Sequence, residues 1–348
     1  MEIKDFLIEM SKVPHVSGFE GELHGVLADV FGKYAKVSTD KFGNFIAHKP
    51  GNGKGPKVMV SAHMDEIGMM VTAICDNGFV KFTRIGGIDQ RNMLAQEVTI
   101  HGRGGKVYGV IGIKPPHLTS LEDRKKAIEL HDMSIDTGYS KEKLEELIRP
   151  GDIVTFNQGI TDLQNNRVAG RALDDTAGVA AMYVTLKYLE HFNHDADLYF
   201  VSSAQEEVGL RGAETAAYNI RPDIGIAIDV TFGKANGLGD HEAGELGKGP
   251  SIAMGPNINR KLFEGLKKSA AKHGTKYQVE VEPFATGTDA NAIQLTEGGV
   301  ITGLVSIPLK YMHSTVETLA ISDIEGCGKL LADYIMDLQG WEGEECFY

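Results

Sequence analysis

The 348-residue sequence predicts an α/β domain that is interrupted by an inserted β-rich domain. After residue 163, strand-type and helix-type segments alternate, which is typical of a parallel or mixed sheet covered by helices. Between residues 67 and 162, short β-type runs instead follow one another across glycine-rich turns. We therefore assign residues 1–66 and 163–348 to a discontinuous α/β domain and residues 67–162 to the insert.

The α/β domain opens with two amphipathic segments. Phe6, Leu7 and Met10 share one helical face, and a second apolar face lies within residues 23–30. The apolar run Lys57-Val-Met-Val-Ser-Ala-His63 follows a glycine-rich loop and predicts a buried strand. The later pattern predicts, in order, a helix at 174–191, strands at 197–204 and 224–229, a helix at 259–273, strands at 278–282 and 300–305, and a helix at 322–338.

The insert contains several short strand patterns and one helix pattern. Strands are predicted at 80–84, 97–101, 106–113 and 153–156, and a helix at 140–148. The charged stretch from Leu121 to Leu130 matches neither pattern, and we predict that it is a mobile loop.

Composition and charge argue against several classes of protein. The formal net charge is -13, from 48 acidic and 35 basic residues, which disfavours nucleic acids and anionic membranes as partners. The three cysteines, Cys75, Cys327 and Cys346, form no CxxC pair, which disfavours disulfides and a thiolate zinc site. The start has no secretory signal pattern, and no apolar run reaches the roughly 18 to 20 residues needed to cross a bilayer. These features predict a cytoplasmic protein.

Polar side chains follow several apolar runs at the point where each predicted strand ends. These side chains are His63, Glu206, Glu207, Asp229 and His313. Because ligand sites in open α/β sheets gather at the carboxyl ends of strands, we expect them to converge. Asp174 would join them from the first turn of its helix, where the helix dipole favours a carboxylate.

Two imidazoles and three carboxylates, with no thiolate, form a donor set for a pair of divalent ions. His63, Asp174, Glu207, Asp229 and His313 are the candidate ligands of Zn, Co or Mn ions bridged by one carboxylate. Such a pair of ions is typical of a hydrolase.

Two further carboxylates receive supporting roles. In His63-x-Asp65 both side chains lie on one side of an extended segment, so we expect the Asp65 carboxylate to accept the second ring N–H of His63 or a nearby proton. Neighbouring side chains on an extended segment point in opposite directions. Glu207 is therefore predicted to be a ligand, and Glu206 the general base that takes a proton from water.

Each motif also has an ordinary structural explanation. A lone His-x-Asp is usually a satisfied polar pair, Asp174-Asp175 alone is a typical helix cap, and Glu206-Glu207 alone is a typical solvated loop. Their joint occurrence favours the metal site, because several apolar runs rarely end in buried ionisable groups that lack partners.

Five motifs together closely resemble the M42 family of metallo-aminopeptidases. They are His63-Met-Asp-Glu-Ile-Gly68, Ala172-Leu-Asp-Asp-Thr-Ala-Gly178, Ala204-Gln-Glu-Glu-Val-Gly-Leu-Arg-Gly212, Ile228-Asp229-Val and Met312-His313-Ser. The resemblance implies that Asp174 bridges two metal ions, that His63 and Asp229 complete the site of one, and that Glu207 and His313 complete the other. It also places Glu206 at the general base and Asp65 at the carboxylate that supports His63.

The resemblance further implies a mixed-sheet di-metal exopeptidase domain with an inserted PDZ-like β-barrel that mediates dimerisation. Dimers of such subunits would assemble into a hollow tetrahedral dodecamer. The implied activity is removal of N-terminal residues from peptides through a metal-bridging water activated by Glu206. The loop containing Thr288 and Asp289 would lie beside the substrate, although both residues are also typical helix caps.

Two alternatives from other functional classes remain open. Paired carboxylates also serve glycoside hydrolysis, and some relatives of the family are described as cellulases, so an endoglucanase is one alternative. The other is a non-catalytic metal-binding protein. The preferred N-terminal residue of the substrate and the choice among Zn, Co and Mn stay open at this point.

Overall fold

The computed structural model describes residues 1–122, 126, 128–239 and 243–339. Its α-helices are α1 (Ile3–Ser11), α2 (Leu23–Phe31), α3 (Lys141–Leu147), α4 (Leu173–Tyr188), α5 (Arg211–Ile220), α6 (Arg260–His273), α7 (Asp289–Gln294) and α8 (Ile321–Asp337). Its strands are β1 (Lys36–Thr39), β2 (Phe45–Lys49), β3 (Lys57–His63), β4 (Gly68–Ile74), β5 (Val80–Ile85), β6 (Glu97–Gly102), β7 (Gly105–Gly112), β8 (Ser134–Asp136), β9 (Ile153–Phe156), β10 (Thr161–Leu163), β11 (Arg167–Gly170), β12 (Asp197–Ser203), β13 (Ile224–Phe232), β14 (Ser251–Met254), β15 (Gln278–Val281), β16 (Ile301–Leu309) and β17 (Glu317–Ala320).

A mixed sheet in the order β1-β2-β12-β3-β13-β16-β14-β15 forms the centre of the α/β part. Strands β12, β3, β13 and β16 run parallel to one another, so their carboxyl ends meet at one edge. The run from Val58 to His63 and the residues of β13 up to Thr231 are buried, as expected for strands covered on both faces. The helices α4 and α8 pack on one face, and α5 and α7 on the other.

The predicted elements of this part are confirmed, with small shifts at their ends. The helix predicted at 259–273 is α6, and the side chain of Asn259 caps it by accepting a hydrogen bond from the Leu262 N–H at 3.0 Å. The strand predicted at 224–229 continues to Phe232. The sequence pattern did not indicate the short strands β1, β2, β14 and β17.

A closed six-stranded barrel in the order β4-β5-β8-β7-β6-β9 interrupts the α/β part. The barrel has a hydrophobic cluster of its own, which includes Met69, Val98, Ile100, Ile135 and Val154. Its strands lie within the predicted insert 67–162 and include the four predicted ones. The exact boundaries of the insert and its role in dimerisation stay predictions. Within the predicted loop at 121–130, residues 123–125 and 127 lie outside the described residues.

A third sheet has three strands in the order β10-β11-β17. β11 leads into the segment that contains Asp174, and β17 follows the loop that contains His313. This small sheet therefore places two of the predicted ligands beside each other. No helix within the described ranges is long and apolar enough to span a bilayer.

The barrel should become less stable in mild acid because of His101 in β6. Burial, assisted by the nearby Lys106, lowers the pKa of His101 from 6.5 to about 4. The unfolded chain therefore binds this proton more readily, so that stability falls as the pH drops from about 6.5 to about 4. We expect His101→Gln, which can still reach the Thr155 hydroxyl, to flatten this part of the pH dependence.

The melting temperatures of wild type and His101→Gln at pH 7.5 and pH 5 test this expectation. At the lower pH, the melting temperature of the variant should be higher relative to that of the wild type than it is at the higher pH. An unchanged difference between the two proteins at both pH values would contradict it.

Candidate metal centre

The carboxyl-terminal edge of the parallel strands brings together the six side chains that the sequence singles out. Their donor atoms form three groups, in each of which all atoms lie within 4.8 Å of one another. The groups are His63 with Asp174 and Asp229, Asp174 with Glu207 and His313, and His63 with Glu206 and Glu207. Residues far apart in the sequence thus converge as predicted.

The carboxylate of Asp174 lies between the two histidines. Its Oδ1 is 3.0 Å from Nε2 of His63, and its Oδ2 is 3.3 Å from Nε2 of His313. Nε2 of His313 is also 3.3 Å from Oε1 of Glu207. Each oxygen of one carboxylate therefore faces a different set of donors, which is the arrangement that a bridging ligand needs.

Both histidine rings are held through Nδ1 by backbone carbonyls. Nδ1 of His63 lies 2.9 Å from the carbonyl oxygen of Asp65, and Nδ1 of His313 lies 3.1 Å from that of Gly87. Because a carbonyl only accepts, Nδ1 donates in each case, and in a neutral ring Nε2 then has the lone pair. Each Nε2 faces carboxylate oxygens, so either a proton on the ring or a bound cation must lie between them.

Of the two roles predicted for the Asp65 carboxylate, the structure favours acceptance of nearby protons over acceptance of the ring N–H of His63. The Asp65 carboxylate is 3.7 Å from Nδ1 of His63, and the backbone carbonyl of the same residue takes its place. The Asp65 carboxylate instead accepts hydrogen bonds from the Ser17 hydroxyl at 2.6 Å, the Glu206 N–H at 2.9 Å and the Glu207 N–H at 3.2 Å. It therefore orients the two glutamates and not the imidazole ring.

The side chains of Glu206 and Glu207 do not point in opposite directions as predicted. Both reach the neighbourhood of His63. Strand β12 ends at Ser203, and Gln205 has a left-handed φ of 58°, so the alternation of an extended strand has ended before the two glutamates. The two glutamates differ in their contact with His313, since Glu207 is the one whose carboxylate lies beside that ring.

Asp174 lies in the first turn of α4 as predicted, although the helix is irregular at that point. Its backbone is extended, with φ -82° and ψ 104°, and the bond to Asp175 is cis. Asp175 caps the helix, since its Oδ1 accepts a hydrogen bond from the Gly178 N–H at 2.9 Å. The helix dipole therefore acts on Asp175, and the extended backbone directs Asp174 toward the histidines.

The electrostatics of the site indicate a shortage of positive charge. Burial raises the pKa of Glu206 to about 10 and raises the pKa of Asp229 well above its usual range. Hydrogen bonds to the carboxylates of Asp174 and Glu207 raise the pKa of His313 to about 11. Groups in such a site retain protons unless cations replace them.

The donor set fits two divalent ions. Four carboxylates, those of Asp174, Glu206, Glu207 and Asp229, belong to the three groups, and two divalent cations would balance their four negative charges. Imidazole and carboxylate ligands suit Zn, Co and Mn. Asp174 belongs to two of the three groups. One contains His63 and Asp229, and the other contains Glu207 and His313. The family resemblance of the motifs implies the same division.

Two residues at the site escaped the sequence analysis. Glu317, only 1% exposed, accepts hydrogen bonds from the backbone N–H groups of Asp174 and His313 at 3.1 and 2.9 Å. Gly87, in the loop after β5, contacts the ring of His313. A glutamate in a short strand and a Gly-Gly turn in another domain give no local signal of this role.

The two candidate residues of the substrate loop, Thr288 and Asp289, differ in burial and in their hydrogen-bond partners. Asp289 is 1% exposed, and its Oδ2 accepts hydrogen bonds from the hydroxyls of Ser61 and Ser203, both at 2.6 Å. It therefore joins β3 to β12 behind the site. Thr288 is partly exposed, and its hydroxyl donates to Oγ1 of Thr286 at 3.0 Å.

Residues 43–330 match the model of the family described as M42 glutamyl aminopeptidase. The chain belongs to the M42 family. It is 40% identical over 331 residues to the lysyl aminopeptidase of Pyrococcus furiosus, covering 94% of each chain. The family and its named relatives identify this chain as an aminopeptidase.

Solved structures of M42 relatives share the mixed α/β fold. An aminopeptidase from Desulfurococcus kamchatkensis superimposes with a TM-score of 0.90 at 35% identity, covering 98% of each chain. The Pyrococcus horikoshii TET1 peptidase, described as able to assemble into a tetrahedron or a large octahedral shell, superimposes with a TM-score of 0.85 at 35% identity. That alignment covers 97% of this chain and 100% of the other.

Substitution of Gly87 by alanine should weaken metal binding. A Cβ atom at this position would lie 2.7 Å from Nδ1 of His313 and would displace the ring. Because Gly87 orients a candidate ligand, we expect a loss of about 10- to 100-fold in Zn²⁺ affinity, measured in competition with a chromogenic chelator. Gly112→Ala is the control, since a Cβ there meets nothing within 4 Å. Wild-type affinity in Gly87→Ala would show that His313 is not held through this loop.

Proposed function

We propose that this M42 enzyme is a binuclear metal-dependent aminopeptidase. The observation that most supports two ions is the division of the Asp174 carboxylate between His63 and His313. In this proposal His63, Asp174 and Asp229 hold one ion, and Asp174, Glu207 and His313 hold the other. Zn or Co is our first choice, and Mn has the same type of donor preference.

Bound divalent ions would polarise the carbonyl of the scissile peptide bond and lower the pKa of a water molecule. Glu206 is our candidate for the general base, with its Oε2 4.0 Å from Nε2 of His63. Nearby cations favour its ionised form and thereby oppose the effect of burial. The carboxylate can then accept a proton from water and donate it to the nitrogen of the leaving amine.

Asp65 is a positioning residue in this scheme. Its two carboxylate oxygens hold the backbone N–H groups of Glu206 and Glu207, so that both glutamate side chains start from a fixed point. The Ser17 hydroxyl fixes Asp65 in turn. A general base works only when it lies within reach of the proton that it takes, which makes this support a requirement of the chemistry.

Assembly into homo-oligomers is also proposed, from PDZ-like dimers to a tetrahedral dodecamer. The outer face of the barrel exposes Tyr108, Val110 and Ile113, which is an apolar surface suited to a second copy. Light scattering of the purified enzyme distinguishes a dimer from a dodecamer. A cytoplasmic location is our further proposal, supported by the free cysteines Cys75 and Cys327.

Activity should depend on metal and on a free amino group in the substrate. We expect protein treated with chelator to lose hydrolysis of aminoacyl-p-nitroanilides and to regain it when Zn or Co is added. N-acetylated counterparts should not be cleaved by any sample. Failure of every metallated sample, together with glucan hydrolysis that survives chelation, would overturn the aminopeptidase mechanism and favour the endoglucanase.

The Glu206→Gln variant tests the general base. The amide keeps the size of the side chain but cannot accept the proton, so kcat should fall by about 100- to 10,000-fold while both ions still bind. Glu325→Gln, an exposed substitution on α8, is the control and should keep wild-type turnover. A metal-loaded Glu206→Gln protein with full turnover would exclude Glu206 as the base.

A further inference from the structure

Glu317 is a buried carboxylate between the two segments that contain Asp174 and His313. It stands at the start of β17, and its Oε2 accepts the Asp174 N–H at 3.1 Å while its Oε1 accepts the His313 N–H at 2.9 Å. One side chain therefore connects the backbones of two residues that lie 139 positions apart in the sequence, 313 minus 174.

Neither of these segments has a regular strand or helix to hold it at that point. Asp174 lies where extended backbone precedes the regular part of α4. His313 lies in the loop between β16 and β17 and has a φ of 59°, a left-handed conformation that costs energy in a residue other than glycine. Both backbones therefore depend on hydrogen bonds from outside their own segments.

We propose that Glu317 is a positioning residue that sets the distance between Asp174 and His313. It thereby governs the affinity for the ion held by Asp174, Glu207 and His313. Its effect on the ion held by His63, Asp174 and Asp229 is smaller, because just one of its two hydrogen bonds reaches that group. This inference rests on the proposed binuclear site.

The chemistry of the hydrogen bonds explains why glutamate is needed. Two N–H donors require two acceptors, and an ionised carboxylate supplies one with each oxygen. In Glu317→Gln one acceptor becomes an NH₂ group that faces an N–H donor, so one hydrogen bond is lost and two donors oppose each other. Glu317→Asp retains the charge but is one methylene too short to reach both donors.

Asp323 on α8 provides a matched control. It is also buried, and its carboxylate likewise accepts two backbone N–H groups, from Gly247 at 2.7 Å and from Gly249 at 2.9 Å. It belongs to none of the three groups of donor atoms. Asp323→Asn therefore removes the same kind of hydrogen bond without touching the metal site.

Co²⁺ titrations of the metal-free proteins, in competition with a chromogenic chelator, measure both affinities. We expect Glu317→Gln and Glu317→Asp each to weaken one of the two ions by about 10- to 100-fold, the usual effect of a residue that orients a ligand. The other ion should change by much less, and Asp323→Asn should leave both affinities unchanged. Melting temperatures show whether Glu317→Gln and Asp323→Asn are destabilised to a similar extent.

Combination with His313→Ala identifies the affected ion. This substitution removes one site, and adding Glu317→Gln to it should weaken the remaining ion by much less than 10-fold. An equal loss for that ion in the double variant would overturn the selective role.

Wild-type affinities in Glu317→Asp would overturn the positioning role and leave charge as the explanation. Wild-type affinities in Glu317→Gln would also overturn the inference while the binuclear function stands. A wild-type protein that binds fewer than two ions would overturn both.

Discussion

The need to neutralise four carboxylates inside a largely buried site governs this structure. Asp174, Glu206, Glu207 and Asp229 lie close together, with two imidazoles as their nearest positive partners. Burial opposes ionisation of such groups, as the raised pKa values of Glu206 and Asp229 show. Divalent cations at the proposed site would resolve the conflict, because a bound ion favours the ionised form of each acid.

The elements that place these side chains come from three different sheets. The large sheet supplies His63 from the last position of β3 and Asp229 from the carboxyl-terminal half of β13. The small sheet positions Asp174 through β11 and contributes Glu317 from β17. The barrel adds Gly87, whose carbonyl orients His313. The site is therefore complete only when all three sheets pack together, which explains why it joins such distant parts of the chain.

The residues around the site divide between those that could bind cations and those that hold their neighbours. Asp65 and Asp289 are both acids close to the site, yet both oxygens of Asp65 and Oδ2 of Asp289 accept hydrogen bonds from hydroxyl or backbone groups. Glu317 is occupied in the same way. An acid whose oxygens accept such bonds is a structural support, whereas an acid that faces an imidazole is a candidate ligand.

Local sequence determined the α/β class, most of the long elements and the six residues of the site. An apolar run that ends in His63 or Asp229 is visible in a few residues, because the cost of burying an unpartnered ionisable group is local. The tertiary structure alone decided which atoms meet. It gave His63 a backbone carbonyl in place of the Asp65 carboxylate, turned Glu206 and Glu207 toward the same group, and brought Glu317 to the backbone N–H groups of Asp174 and His313. Those contacts depend on backbone direction at the ends of strands and on packing between sheets, and neither leaves a periodic pattern in the sequence.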